Sequence, residues 1–407
     1  MSNRSVSVIG AGAAGLMASI FAAAAGARVI LLDGTKECGR KILISGGGRC
    51  NVLPKNFGPD DFWTDSSRNT LRKILATWPG QDQRSFFENE LGVPLKLEEE
   101  SEKFFPVSDR ARDVKDALVR RAEALGVEIR LAQRVLAVEK GTGGEPGWKV
   151  NVARGSQIAV DSVVVATGGL SVPKTGSDGW GLDFAKRLGL AVETPYPALT
   201  PLFADPHPLP GLSGITVSAG VASTSPTGTV TRSGGFLITH KGFSGPAVLD
   251  VSHIYTRDPE HAEVTVNFLN RPVDEIDEMF RGGRGTVGGV LRRILPDRLV
   301  ESLCEKAGVG VKEQLGRFPK GKRQALIRVL AGFPLCINGS GGFKMAEVTG
   351  GGVSLKEVKP NTMECRRHPG LFFCGEVLDA FGPIGGFNFA WAWITGRLAG
   401  VGAGRGD

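Results

Sequence analysis

At 407 residues, 41% hydrophobic and 22% charged, the chain has the composition of a soluble globular protein, and its length predicts two or three domains. The formal charge of +7 reads as a mild excess scattered along the chain, and no run of Lys/Arg with interleaved aromatics appears; nucleic acid is therefore not expected as a partner, while an anionic cofactor or substrate suits the balance. Six widely spaced cysteines without a C-x-x-C pair argue against a zinc or iron–sulfur site and a disulfide framework, and no apolar run of bilayer length or leader pattern is seen, so a cytoplasmic protein with no metal and no membrane contact is expected.

The first predicted element is a strand from Ser5 to Ile9 that runs straight into Gly10-Ala11-Gly12-Ala13-Ala14-Gly15 and an Ala-rich helix. A second strand, Arg28 to Leu32, ends at Asp33. Strand, G-x-G-x-x-G, helix, strand and acid together form a dinucleotide-binding fingerprint. Gly10 permits the tight turn, Gly12 lets backbone approach a pyrophosphate, and Gly15 lets the helix pack on the sheet. The helix N-terminus offers free N–H groups to the anion, and Asp33 is placed for an adenosine ribose.

A Gly-rich loop follows from Gly39 through Ser45-Gly46-Gly47-Gly48-Arg49-Cys50-Asn51. Amphipathic patterns predict helices over 69–77, 83–91 and 109–125, then short strands at 126–130 and 134–138, a turn over 141–147, and hairpin strands at 148–152 and 157–160. Ser162 to Val165 reads as a buried parallel strand entering Ala166-Thr167-Gly168-Gly169. The texture then changes. Residues 193–272 are β-rich and 273–333 helical and basic, with the clearest helices at 287–295 and 320–330. Near the C-terminus a buried strand runs into Gly375-Glu376, and Gly382-Pro383-Ile384-Gly385-Gly386 opens a last helix.

The expected architecture is therefore α/β: a discontinuous Rossmann-like domain, 1–192 and 342–407, interrupted by an insert at 193–341. The first βαβ unit does not distinguish NAD from FAD. None of the five histidines sits in a recognisable catalytic frame. Glycine clusters at several predicted strand ends suit a longer cofactor, and the helix after Gly386 would present its positive end to a flavin; both favour FAD. No second strand–G-x-G-x-x-G unit exists, so a pyridine nucleotide would act as a transient donor. Cys50, Trp391 and Trp393 are expected to be packing residues and Lys344 a solvated charge. No catalytic residue is singled out.

Gly39-Arg40-Lys41 through Asn51, Phe104-Phe105-Pro106-Val107-Ser108, Gly242 to Asp250, Val348 to Val353 and Gly375 to Asn388 together resemble the signature of the BaiN/RdsA-like bacterial NAD(P)/FAD-dependent oxidoreductases. The resemblance covers nearly the whole chain. It implies a Rossmann-like FAD-binding domain with a β-barrel-like insert and added helices. Position by position it implies that Gly10, Gly12, Ala14, Gly15 and Asp33 hold the ADP half, and that Lys41, Ser45, Gly47, Arg49 and Cys50 line the stretch from pyrophosphate to flavin. Val135 would present backbone to adenine, and Thr167 and Gly168 would flank the nucleotide. Gly375, Glu376, Asp379, Gly386, Phe387 and Asn388 would hold ribityl and isoalloxazine. Asp33 stands where Glu is usual, Phe387 where Tyr is common, and residues 60–68 depart from the pattern.

The implied activity is hydride transfer from NAD(P)H through flavin to an unsaturated or carbonyl-conjugated small organic substrate. A flavin monooxygenase or RNA-modifying flavoprotein, and a non-catalytic FAD-binding redox sensor, stand as alternatives. Oligomeric state is not legible.

Overall fold

The computed structural model describes residues 4–141, 147–153, 155–226, 228–281 and 283–406. Thr142, Gly143 and Gly144 of the expected turn lie outside them. The chain forms two compact units, Met1–Pro195 with Val348–Asp407, and Tyr196–Glu347; the sequence boundaries lay a few residues earlier, at 192/193 and 341/342.

The first unit is built on five parallel strands: β1 (Ser5–Ile9), β2 (Arg28–Leu32), β3 (Glu128–Arg130), β4 (Ser162–Val165) and β5 (Leu371–Phe373), in the order β5-β4-β1-β2-β3. Val6 and Val8 of β1, Val29 to Leu32 of β2 and Val163 to Val165 of β4 are buried, as in a parallel sheet covered on both faces. From β1 the chain goes to β2 on one side, while β4 flanks the other, so the strand order reverses beside Gly10, where an open α/β sheet places its ligand. The strand ends are pinned there: Gly10 N–H donates to Leu32 O, Ala166 N–H to Ile9 O and Cys374 N–H to Val165 O.

The helices that matter to the site are α1 (Ala13–Ala24), α2 (Arg40–Ile44) and α3 (Phe387–Arg405). The expected Gly-rich loop is thus partly ordered as α2, continued by a 3-10 turn at Ser45–Gly48. Two small antiparallel sheets flank this core, Leu53–Pro54 with Lys103–Pro106 and Leu95–Glu98, and Val135–Lys140 with Trp148–Val152 and Gln157–Val160, and a further buried strand spans Val348–Val353.

Helices α1 and α3 meet along a seam of small residues. Gly396, Gly400 and Gly404 recur every four positions, hence on one face of α3. A Cβ at Gly396 would lie 2.5 Å from Ala14 O, at Gly400 2.3 Å from Ala18 O, and at Gly404 2.8 Å from Ala22 O. Backbone lies on backbone here because the three α3 positions lack a Cβ and face Ala14, Ala18 and Ala22 of α1, with Met17 beside Gly396. Trp391 and Trp393 are buried on α3, and the Trp393 indole donates to Val52 O at 3.0 Å, so both serve packing.

The second unit centres on a seven-stranded antiparallel sheet, ordered Phe333–Pro334, Glu263–Asn267, Thr216–Ser225, Gly228–Ile238, Gly242–Ser244, Leu202–Phe203, Gly339–Ser340. The end strands are two residues long and do not pair among the described residues, so the sheet is open rather than a closed barrel. Phe236 packs between Phe243 (5.3 Å between ring centres) and Phe268 (5.8 Å). Helices Val287–Leu291, Asp297–Lys306 and Lys320–Ala331 follow; the last matches its expected range, the first ends four residues before the expected 295, and the middle one had no expected range of its own.

Replacing Gly400 with Val forces the α1–α3 seam apart. The expected loss of stability is about 1–3 kcal/mol, read as a lower thermal midpoint, whereas Gly321→Ala, inside a helix where a Cβ meets nothing, leaves it the same or slightly higher.

Candidate functional site

The fingerprint turn has the shape its glycines predict. Gly10 has φ +105°, and a Cβ there would sit 2.4 Å from Ala166 O; a Cβ at Gly15 would sit 1.8 Å from Gly10 O. These two glycines close the turn against β4 and seat α1. Gly12 differs: a Cβ there meets nothing within 4 Å, and Gly12 caps α1 without a side-chain hydrogen bond. Open space in front of uncapped N–H groups is what a pyrophosphate requires, so the residues present fit a dinucleotide.

Asp33 is more constrained than the fingerprint implies. Its Oδ2 accepts from Ala11 N–H and its Oδ1 from the N–H and hydroxyl of Thr35, each at 2.7 Å. The shorter acid therefore latches the fingerprint turn to the loop after β2. Backbone bonds from Ala132 to Thr35 (2.7 Å) and Gln133 to Asp33 (2.8 Å) bring Val135 alongside, at a register shift in its own ladder.

Beyond α2, Gly46, Gly47 and Gly48 take φ of 54°, 67° and 85°, a run of left-handed backbone that other residues adopt at a cost. Gly47 is exposed with open space at its Cβ position, and the buried Asn51 Oδ1 beside Gly46 has no partner among the described residues. The Ser45 hydroxyl donates to Ile42 O at 2.7 Å. Cys50 is fully buried, and desolvation pushes its thiol up to about 12, which leaves it a packing residue with no thiolate to react. The Arg49 guanidinium lies 4.0 Å over the Phe105 ring and donates to Glu98 at 3.1 Å. Its charge is already answered, and the Ser101 hydroxyl together with Arg49 holds the Glu98 carboxyl below the usual range.

Glu376 forms the strongest link between the two ends of the chain. Its Oε2 takes an ion pair from Lys41 Nζ at 2.6 Å; its Oε1 accepts from the Ser171 hydroxyl at 2.5 Å and from Thr349 N–H at 2.9 Å. Lys41 also donates to Ser171 at 2.7 Å, and Thr349 Oγ1 accepts from the N–H groups of Leu170 and Ser171. Four segments separated by up to 335 residues thus meet on one carboxylate. Both Glu376 oxygens accept bonds within the protein, so the carboxylate ties these four segments together. Ser171 and Thr349 were missed, because neither belongs to a periodic pattern or a charged motif.

The remaining expected residues divide in the same way. The Cα of Thr167 lies 3.1 Å from the Gly10 Cβ position, so its backbone flanks the fingerprint; its hydroxyl is turned toward Gly181. Gly168 has φ +72°. Gly375 (φ +78°) packs on Ala14, where an added Cβ would lie 2.7 Å from the Ala14 Cβ, and its N–H donates to the Thr395 hydroxyl. Asn388 stitches the Gly382–Gly386 turn: its Oδ1 accepts from Gly382 N–H and its Nδ2 donates to Gly382 O, both at 2.9 Å. Gly386 (φ +97°) caps α3 without a side-chain hydrogen bond, and the half-buried Phe387 ring contacts Phe62 at 6.0 Å between centres. Asp379 is 1% exposed, and its Oδ2 accepts from the Thr64 hydroxyl (2.9 Å) and Asp65 N–H (3.0 Å), so it anchors the divergent 60–68 segment. Burial lifts its carboxyl above the usual range, against the opposing pull of Ser66 and Thr64.

Residues 4–402 match the family described as HI0933-like protein Rossmann domain. The chain is 36% identical over 405 residues to the ribosomal RNA dihydrouridine synthase of Escherichia coli (strain K12), covering 95% of each chain. It is 32% identical over 392 residues to the protein of the same name from Haemophilus influenzae, again covering 95% of each. It is 30% identical over 407 residues to the 3-dehydro-bile acid delta(4,6)-reductase of Clostridium scindens, covering 97% of this chain and 98% of that relative. The solved structure of a 3-ketosteroid-delta4-(5alpha)-dehydrogenase from Rhodococcus jostii shares the fold, with a TM-score of 0.53 at 16% identity over 99% of this chain and 97% of that one.

The names of the first two relatives overturn the expectation that nucleic acid is no partner. The charge is also less scattered than expected. Residues 281–328 hold twelve Lys/Arg against four Asp/Glu, a net +8 that exceeds the +7 of the whole chain.

Lys41→Met leaves Glu376, 17% exposed, without its cation. The expected cost is about 1.5–3 kcal/mol of stability, with weaker FAD retention on dialysis. Asp379→Asn keeps an oxygen for both hydrogen bonds and removes the charge. Because the folded carboxyl titrates above its unfolded value, its contribution is favourable at low pH and is lost as pH rises through the folded value. The thermal midpoint of the Asn variant relative to the native protein should therefore climb as the pH rises from about 4, the unfolded carboxyl's range, through the higher folded value.

Proposed function

The chain belongs to the HI0933-like Rossmann family of FAD-dependent oxidoreductases, and on that premise we propose that it reduces the C5=C6 double bond of a uridine in ribosomal RNA, with NAD(P)H as the source of electrons. The observation that carries this reading is the 36% identity to an enzyme of that name across 95% of both chains, with no part of either left unmatched at domain scale.

The chemistry agrees with the sequence-based expectation of a carbonyl-conjugated substrate. In uracil the C5=C6 bond is conjugated to the C4 carbonyl, so hydride at C6 and a proton at C5 give 5,6-dihydrouridine while NAD(P)H becomes NAD(P)+. Bound FAD would supply the two-electron transfer between donor and substrate. The protein's share is binding and positioning. Gly12 and the N-terminus of α1 would receive the pyrophosphate, with Asp33 holding the turn in shape. The Glu376 cluster would hold α2, the 169–171 loop and the 348–353 strand in fixed register around the cofactor. The uncapped start of α3 after Gly386 offers N–H groups to negative charge on the ring system. Arg49 and Cys50 take no redox or charge-relay role, because one is paired and the other protonated and buried.

The test uses flavin-loaded protein, NADH or NADPH, and deproteinised bacterial ribosomal RNA, followed by nucleoside mass spectrometry. The expected product is a uridine heavier by two hydrogens that requires a reduced nicotinamide. Reduction of a free conjugated ketone with no change in the RNA would sink the RNA reading and leave the oxidoreductase assignment standing.

A further inference from the structure

The helical part of the second unit has a hydrophobic interior and a basic exterior. Leu291, Leu299, Val300, Leu303, Leu326 and Leu330 are buried. Backbone bonds from Val287 to Glu313 O, Gly288 to Val311 O and Leu315 to Gly285 O tie the loops to the helices. The exterior acids are largely engaged: Asp277 pairs with Arg323 and Arg281, Glu313 with Lys322, and Asp297 and Glu301 with Arg292. Arg293, Lys312, Arg317, Lys320 and Arg328 are exposed and have no carboxylate partner among the described residues. With segment 281–328 at net +8, the rest of the chain is at net −1. The positive potential that could draw an anionic macromolecule is therefore concentrated on this cluster.

We propose that the exterior of this helical cluster is the docking surface for folded ribosomal RNA, engaging its phosphates through Arg293, Lys312, Arg317, Lys320 and Arg328; the proposal rests on the RNA-reducing reading above. A substrate base embedded in a large RNA offers little surface of its own. Affinity must come from the surrounding phosphates, through contacts that release counterions and carry no base specificity. Five unpaired cations on one small helical cluster meet that need. A lipid surface fits less well, because the helices turn their leucines inward and only Ile294 among the large apolar residues of this segment is exposed, at 43%.

The test compares full-length, flavin-loaded native protein with a variant carrying R293Q, K312Q, R317Q, K320Q and R328Q, and with a control carrying R72Q, K73Q, R112Q, R120Q and K140Q on the first unit. Binding to deproteinised ribosomal RNA is measured across a series of salt concentrations, and dihydrouridine formation in the same RNA is measured separately. The expected result is a fall of about 3 in the log–log salt slope and at least about tenfold weaker binding for the first variant only. An unchanged far-UV circular dichroism spectrum and thermal midpoint, together with unchanged flavin content, would show that both units fold, and the two subsets R293Q/R328Q and K312Q/R317Q/K320Q should each give part of the loss. Equal slopes for all three proteins would overturn the docking surface; if dihydrouridine still forms, the RNA-reducing reading survives. Slope loss without dihydrouridine in the native reaction would support the surface and defeat that reading. Failure of the native protein to bind the RNA would overturn both.

Discussion

The first unit depends on how closely α1 and α3 approach. The dinucleotide fingerprint lies at the start of the chain, while the segments that complete the sheet and the far end of the site lie beyond residue 347. They share one core because glycines at 396, 400 and 404 let the backbone of α3 rest on Ala14, Ala18 and Ala22. That seam sets the position of α3, and with it the turn at Gly382–Gly386 that Asn388 holds shut. Larger side chains on either helix would displace the C-terminal half of the site from the N-terminal half.

On this frame the polar groups of the site mostly bind each other. Glu376 gathers Lys41, Ser171 and Thr349; Asp33 gathers Ala11 and Thr35; Asp379 gathers Thr64 and Asp65. Each acid ties down a loop that would otherwise have many conformations, so the cost of ordering the loops is met during folding rather than on cofactor binding. Open space and uncapped N–H groups remain at Gly12 and at the start of α3, where an anionic, dinucleotide-like ligand would need them. The site is thus preorganised backbone, supported by carboxylates, rather than a ring of free charged side chains.

Charge has a different distribution and a different task. The first unit keeps its cations paired around the site, as with Lys41 and Arg49. The excess lies on the helical segment of the second unit. On the proposed reading, cofactor binding would fall to one unit and macromolecular recognition to the other; the relatives, named for a ribosomal RNA and for a bile acid, match the same frame over nearly its whole length.

The sequence by itself determined the fingerprint, the parallel sheet, the interruption by an insert and the family, because these rest on local signals: strand periodicity, glycines where backbone must turn or approach, and long contiguous motifs. Helices over 68–75 and 111–124 were legible for the same reason, as one-sided apolar patterns. What the tertiary structure decided were the partners. No local pattern shows that Glu376 is answered by Lys41 across 335 residues, that Asp33 latches Ala11, or that Asn388 closes its own turn. That a carboxylate near a cofactor motif also ties distant loops together is not legible in sequence, since hydrogen bonding depends on distances that sequence separation does not encode. The open edge of the insert sheet was likewise hidden, because closure depends on whether end strands meet and not on how many strands there are.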